Sequence, residues 1–148
     1  MEVMFICVVG ICVLIFGFIR FRHRLAKQEI AAKSIEPDEL YALLNPKQVK
    51  LYDVRQPLDF LAHPEIIQGA IRIAPKDIPE QTMSFSREQD SVIYCTGGDD
   101  DTTKMILGKA RALKFTRVRI LKGGLAAWKA KGYPVETYTD SFQLDTVT

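Results

Sequence analysis

From Val49 to Lys131 the chain alternates short apolar runs with segments of helical periodicity, and this alternation limits the possible folds more than any other feature. Val49-Lys-Leu-Tyr-Asp-Val54 reads as a strand, broken by Arg55-Gln-Pro57, and Pro57–Ala62 reads as a short helix. His63-Pro64-Glu65 is a loop, Ile67–Ile73 carries a glycine turn into another short strand, and Pro75–Ile78 looks like a single helical turn. Residues 79–90 are polar and hold no strong pattern. Val92–Tyr94 is the uncharged run of a strand buried on both faces. The helix expected from Thr102 to Leu113 places Ile106, Ala110 and Leu113 on one face. Val118–Leu121 is a further strand, and Lys122-Gly-Gly124 turns the chain into a helix over Leu125–Lys131, closed by Gly132. Upstream, Pro37 sits in the first turn of a helix with Leu40, Leu43 and Leu44 on its apolar face, ended by Asn45-Pro46. Strands alternating with helices predict an α/β domain with a mainly parallel sheet and helices on both faces.

The chain has 148 residues, enough for one domain and a short appendage. Its composition, 47% hydrophobic and 26% charged, excludes a disordered chain or a low-complexity array. The net charge of +2 is concentrated early: Arg20, Arg22, Arg24, Lys27 and Lys33 face only Glu29 across residues 20–33. Residues 34–148 are close to neutral, which argues against nucleic-acid binding. Val3–Ile19 is an uncharged apolar run of about 25 Å as a helix, against a hydrocarbon core of about 30 Å. Phe21, with Arg20 and Arg22 snorkelling, closes that gap. A cleaved signal peptide needs its basic residues before the run, and here they follow it. The expectation is therefore a single-pass membrane protein. Residues 1–21 form a transmembrane anchor in the lipid bilayer and residues 22–33 a basic juxtamembrane helix or linker. The N-terminus lies outside and a globular domain over 34–136 is cytoplasmic, followed by a flexible tail over 137–148. His23 belongs to the basic flank rather than to a ligand set.

Cys7 and Cys12 lie in the apolar run, so Cys95 is the one thiol of the globular part and no disulfide framework is expected. In doubly wound sheets ligands bind beyond the C-terminal ends of strands, and Cys95 sits at such an end. A thiolate is a nucleophile, and backbone N–H groups of residues 96–102 with the following helix N-terminus can hold an anion there. Gly97 and Gly98 let the backbone curl, since glycine takes positive φ without penalty. Asp99, Asp100 and Asp101 work the other way, favouring a neutral thiol and repelling anions. The same acids suit a helix cap and first turn. They have no accompanying ligand spacing, so neither metal nor cofactor is expected. The candidate site is thus Cys95 as nucleophile, with Thr96, Gly97, Gly98, Asp99, Asp100, Asp101 and Thr102 as its substrate loop. The residues alone leave open an inert, buried strand-end thiol.

Asp53-Val-Arg55 followed by Pro57 and Phe60, Gly69-Ala70, the strand ending at Cys95, Leu121-Lys-Gly-Gly-Leu-Ala-Ala-Trp128 and Gly132-Tyr-Pro-Val-Glu136 together resemble a single-domain rhodanese over Ile35–Glu136. The resemblance implies a five-stranded, mainly parallel sheet flanked by helices. It also implies a cysteine, Cys95, that accepts a sulfane sulfur as a persulfide and passes it to a thiol or other nucleophile. Asp53 and Arg55 are expected to support the site structurally, and Trp128 to pack in the core. The loop departs from the family pattern: it is about two residues longer, carries no cation and holds three acids. That predicts poor use of thiosulfate and better use of a neutral or protein-bound persulfide. The expectation is a membrane-anchored sulfurtransferase with a sulfur donor and a thiol acceptor as partners. The alternative is a catalytically weak or inactive rhodanese-fold binding module that tethers a partner protein at the membrane. A cysteine phosphatase or arsenate reductase needs cations for its dianionic substrate, which this loop lacks. Every charged residue from Lys104 to Lys131 is basic, whereas residues 35–101 are mostly acidic, an asymmetry open to an acidic protein partner.

Overall fold

The computed structural model describes residues 1–45, 47–77, 85–97 and 101–139, without the side chains of 2–6 and 26. The chain forms two compact units, Met1–Lys33 and Ser34–Thr148.

The first unit is one helix, α1 (Glu2–Ala32), continuous through the basic flank and closed where the Lys33 N–H reaches the Glu29 and Ile30 carbonyls. It overturns the expected membrane anchor: no helix among the described residues is long and apolar enough to cross a membrane. The shortfall is one of length. The apolar run Val3–Ile19 covers about 25 Å of a core about 30 Å thick before Arg20 interrupts it. The transmembrane assignment of residues 1–21, the single-pass topology with an outside N-terminus and a cytoplasmic domain, and the bilayer as partner fall with it. Residues 22–32 take the helical option, as the last turns of α1, and Lys33 caps it.

The second unit runs β1 (Ser34–Ile35), α2 (Pro37–Leu44), β2 (Val49–Asp53), α3 (Pro57–Ala62), β3 (Glu65–Ile67), β4 (Ile71–Arg72), β5 (Asp90–Tyr94), α4 (Asp101–Ala112), β6 (Val118–Leu121), α5 (Gly124–Ala130) and β7 (Val135–Thr137). Five strands make a sheet in the order β1-β6-β5-β2-β4, parallel throughout. β5 is its centre, which is why Val92, Ile93 and Tyr94 are all apolar-bodied and fully buried. Side chains alternate across a strand. Val49, Leu51, Val92, Tyr94 and Leu121 meet Leu40 of α2 and Leu125 and Trp128 of α5 on one face. The alternate residues Tyr52, Ile93 and Ile120 are buried too, as are Ile106 and Ala110 on α4. Pro37 opens α2 and Asp38 and Glu39 occupy its first turn, matching the dipole.

Several short elements differ from the sequence reading. Ser34–Ile35, expected to lead into a helix, pairs with β6. The expected turn after Pro75 is seen as Asp77 N–H to Ala74 C=O at 2.9 Å, while Ile78 lies outside the described residues. The expected tail begins inside a strand: Thr137 ends β7, Val135–Thr137, which pairs antiparallel with β3, and Tyr138 N–H continues the contact to Pro64 C=O at 3.0 Å. The remainder of the expected tail, from residue 140, lies outside the described residues.

The charge asymmetry between the halves is largely spent on folding. Arg119 pairs with Glu39, Lys122 with Glu36, Lys131 with Asp38, Lys129 with Glu65 and Arg117 with Asp90.

Candidate active site

β2 and β5 run in register, Asp53 opposite Tyr94, so the chain leaves both strands side by side as Val54 and Cys95. Cys95 is buried, 2% exposed. Among the neighbours of its Sγ are two of opposite character: Thr103 Oγ1 donates to it at 3.2 Å, and the Val54 carbonyl lies at 3.9 Å as acceptor for the S–H. Thr103 is carried by the stripe of α4 that faces the sheet, Thr103–Ile106–Ala110, all buried.

The loop after Cys95 is gripped from α5. The first N–H groups of a helix have no intrahelical partner; here Leu125 N–H binds the Cys95 carbonyl at 2.9 Å and Ala126 N–H the Thr96 carbonyl at 3.1 Å. In a trans peptide the N–H points opposite the C=O. The N–H groups of Thr96 and Gly97 are therefore turned away from α5. The grip requires the backbones to touch. Gly124 has φ +57°, and a Cβ there would stand 2.4 Å from the Cys95 carbonyl and 2.7 Å from that of Gly97. Gly123, φ +70°, makes the left-handed turn into α5. The two adjacent glycines of Lys122-Gly-Gly124 therefore serve different needs, a turn and a close approach.

Of the remaining expected loop residues, Thr96 is half-buried and its Oγ1 is buried without a hydrogen-bond partner among the described residues. Thr102 accepts a hydrogen bond from Gln56 Nε2 at 3.0 Å, tying the start of α4 to the start of α3. Asp101 is the first helical residue, fully exposed, and pairs with Lys104 at 3.3 Å. Gly98, Asp99 and Asp100 lie outside the described residues. Among the described residues no group of His, Cys, Asp and Glu is placed to hold a metal ion.

Asp53 and Arg55 stand behind this site, both fully buried. Arg55 Nε and Nη2 bracket the Asp53 carboxylate at 3.0 and 2.5 Å, and its remaining donors reach the His63 and Glu65 carbonyls, each at 2.8 Å. The guanidinium groups of Arg55, at 4.9 Å, and Arg72, at 4.7 Å, both lie over the Phe60 ring. Tyr94 donates its hydroxyl to Asp53 at 3.1 Å and accepts the Ile67 N–H at 3.1 Å. Burial, and then the Asp53 charge, push the Tyr94 phenol far up, so it remains a donor at any working pH. Burial lowers the Arg72 guanidinium, with Asp53 opposing.

The sequence reading did not single out Thr103 or Gly124. Thr103 was within reach: it continues the Ile106–Ala110 stripe one turn back, and a polar residue at the head of a buried stripe calls for a partner. Gly124 was not, because its constraint is a backbone contact from a distant segment. A groove of about 740 Å³, lined among others by Tyr41, Lys47, Lys50, Gln68 and Gln89, opens at the other end of β2, and no cysteine lines it.

The family model described as Rhodanese, a rhodanese-like domain, matches residues 36–131. Among solved structures, a rhodanese-related protein from Thermoplasma volcanium superposes with TM-score 0.59 at 23% identity, covering 70% of this chain and 97% of that one. A rhodanese-like domain protein from Staphylococcus aureus gives 0.59 at 29% identity, covering 72% and 99%. A Rhodopseudomonas palustris protein of unknown function, described as a possible tyrosine phosphatase, gives 0.61 at 19% identity, covering 76% and 89%. No curated protein matches the chain.

Proposed function

The chain belongs to the rhodanese-like domain family, and from that premise we propose that it is a sulfurtransferase that carries a sulfane sulfur as a persulfide on Cys95. In loading, the Cys95 thiolate attacks the outer sulfur of a donor persulfide. The donor's S–S bond breaks, its inner sulfur leaves as a thiolate, and an S–S bond forms on Cys95. In discharge, an acceptor thiolate attacks the outer sulfur and Cys95 leaves as a thiolate. One S–S bond breaks and one forms in each step, so no oxidant is required.

The observation that carries this reading is the clamped Cys95 loop. Two α5 N–H groups take its carbonyls, which leaves loop amides turned away from α5 while a hydroxyl donates to the sulfur. Among the described loop residues, Cys95–Gly97 and Asp101–Thr103, no cation is present. Dianions are held poorly without one, which disfavours phosphate-ester chemistry and thiosulfate and favours an organic persulfide donor.

The full chain is to be incubated with a small-thiol persulfide, then with a fresh thiol, and followed by mass spectrometry. The expected result is gain of one sulfur on Cys95, its transfer to the thiol, weaker loading from thiosulfate, and no loading of Cys95→Ser. A folded chain that takes no sulfur from any donor excludes the reading. It would favour the alternative suggested by the cation-free loop, a rhodanese-fold binding module.

A further inference from the structure

We infer that Thr103 is a second catalytic residue of this relay: its hydroxyl holds the charge that builds on the Cys95 sulfur when the persulfide is discharged. The inference rests on the sulfurtransferase reading and names the group that assists its second step. Thr103 is 1% exposed, on the buried stripe of α4, with Oγ1 3.2 Å from Sγ. The Val54 carbonyl also lies near Sγ, at 3.9 Å. A carbonyl only accepts, so it suits the protonated thiol and opposes the anion. The hydroxyl can donate to either form, and its bond strengthens when the sulfur is charged.

The two half-reactions use that bond differently. During discharge the S–S bond breaks, its electron pair stays on Sγ, and a neutral acceptor becomes a charged one. The Thr103 bond is then stronger in the transition state than in the bound persulfide, which is the condition for accelerating a step. During loading Sγ starts as the thiolate and loses charge. The same bond then stabilises the starting state and contributes by raising the thiolate fraction rather than by speeding the attack.

Full-length wild type, Thr103→Val and Thr103→Ser are to be compared in two measurements: the pH dependence of Cys95 alkylation by iodoacetamide, and single-turnover loading and discharge with a small-thiol persulfide and a small thiol. Losing a hydrogen bond to a charged group is expected to move the Thr103→Val alkylation profile about one pH unit upward, a tenfold lower thiolate fraction at neutral pH. Discharge slows about tenfold, whereas loading rate per thiolate does not fall. Thr103→Ser keeps the hydroxyl and restores both readouts to within about threefold of wild type. Thr103→Ala is read in the same way should Thr103→Val not fold. A folded Thr103→Val chain that still loads but has an unmoved alkylation profile, or a Thr103→Ser chain as slow as Thr103→Val, overturns the role of Thr103 alone. A wild-type chain that takes up no sulfur overturns the relay itself.

Discussion

β2 and β5 are hydrogen-bonded neighbours, and their C-terminal ends are buried side by side, yet they are furnished in opposite ways. At the end of β2 a buried carboxylate receives the Arg55 guanidinium, the Arg55 backbone N–H and the Tyr94 hydroxyl, and the guanidinium is in turn spent on two carbonyls. At the end of β5 a buried sulfur has a hydroxyl at 3.2 Å and a carbonyl at 3.9 Å. At the first end Asp53 and Arg55 are saturated by these partners, and they tie β2 to the loop after α3. The second end is held through its backbone, by α5. Rigidity around Cys95 is supplied by carbonyls and by the neighbouring strand end, so the sulfur itself need not be immobilised.

Four substitutions test this contrast. The largest effect is expected for Arg55→Leu, which leaves Asp53 charged, buried and without its main partner; breaking such a pair costs about 3–5 kcal/mol. Chemical denaturation measures it, and a loss comparable to that of an exposed pair would break the comparison. Next comes Gly124→Ala. A non-glycine residue at φ +57° that also meets two carbonyls stores about 1–3 kcal/mol of strain. Because that strain is relieved by moving the Cys95 loop, persulfide loading should fall even where the domain remains folded. Tyr94→Phe follows, leaving the buried Ile67 N–H without its acceptor at about 1–3 kcal/mol. It should lower the melting temperature while the pH profile of Cys95 alkylation stays in place, since Tyr94 serves the saturated end.

The smallest effect is on the surface. Hydrogen bonds from Lys131 and then Tyr133 hold the Asp38 carboxyl below its ordinary value of 3.8. A depressed carboxyl contributes stability above that ordinary value and loses it as the pH falls through the lower folded value. Lys129 does the same for Glu65. Asp38→Asn should therefore leave acid unfolding less steep below about pH 4 and, the pair being exposed, matter little to the melting temperature near neutrality.

Much of the frame was legible in the residues. β2, β5 and β6 carry enough apolar residues to be recognised as strands, and Pro37, Pro57 and Gly132 mark helix ends by their backbone limits alone. The position of Cys95 beyond a buried strand followed from that alternation; that the strand is the central one did not. The two- and three-residue strands β1, β3 and β7 were not legible, because so short a segment has no periodicity and exists only through its partner. The length of Val3–Ile19 also misled: the pattern suited a membrane anchor, but no helix among the described residues is long and apolar enough to cross a membrane.

By itself, then, the sequence determined a parallel α/β domain with a thiol at the end of a buried strand and a glycine turn beside it, because hydrophobic period and backbone preference are local properties. Tertiary structure decided what that thiol meets. The Thr103 hydroxyl arrives from the next helix, the α5 amides and Gly124 from roughly thirty residues downstream, a span far beyond the three- to four-residue reach of helical neighbours. It also decided the fate of the charges, pairing Arg119 with Glu39 across 80 residues and Lys131 with Asp38 across 93. Such contacts depend on how sheet and helices stack, and no local pattern encodes them.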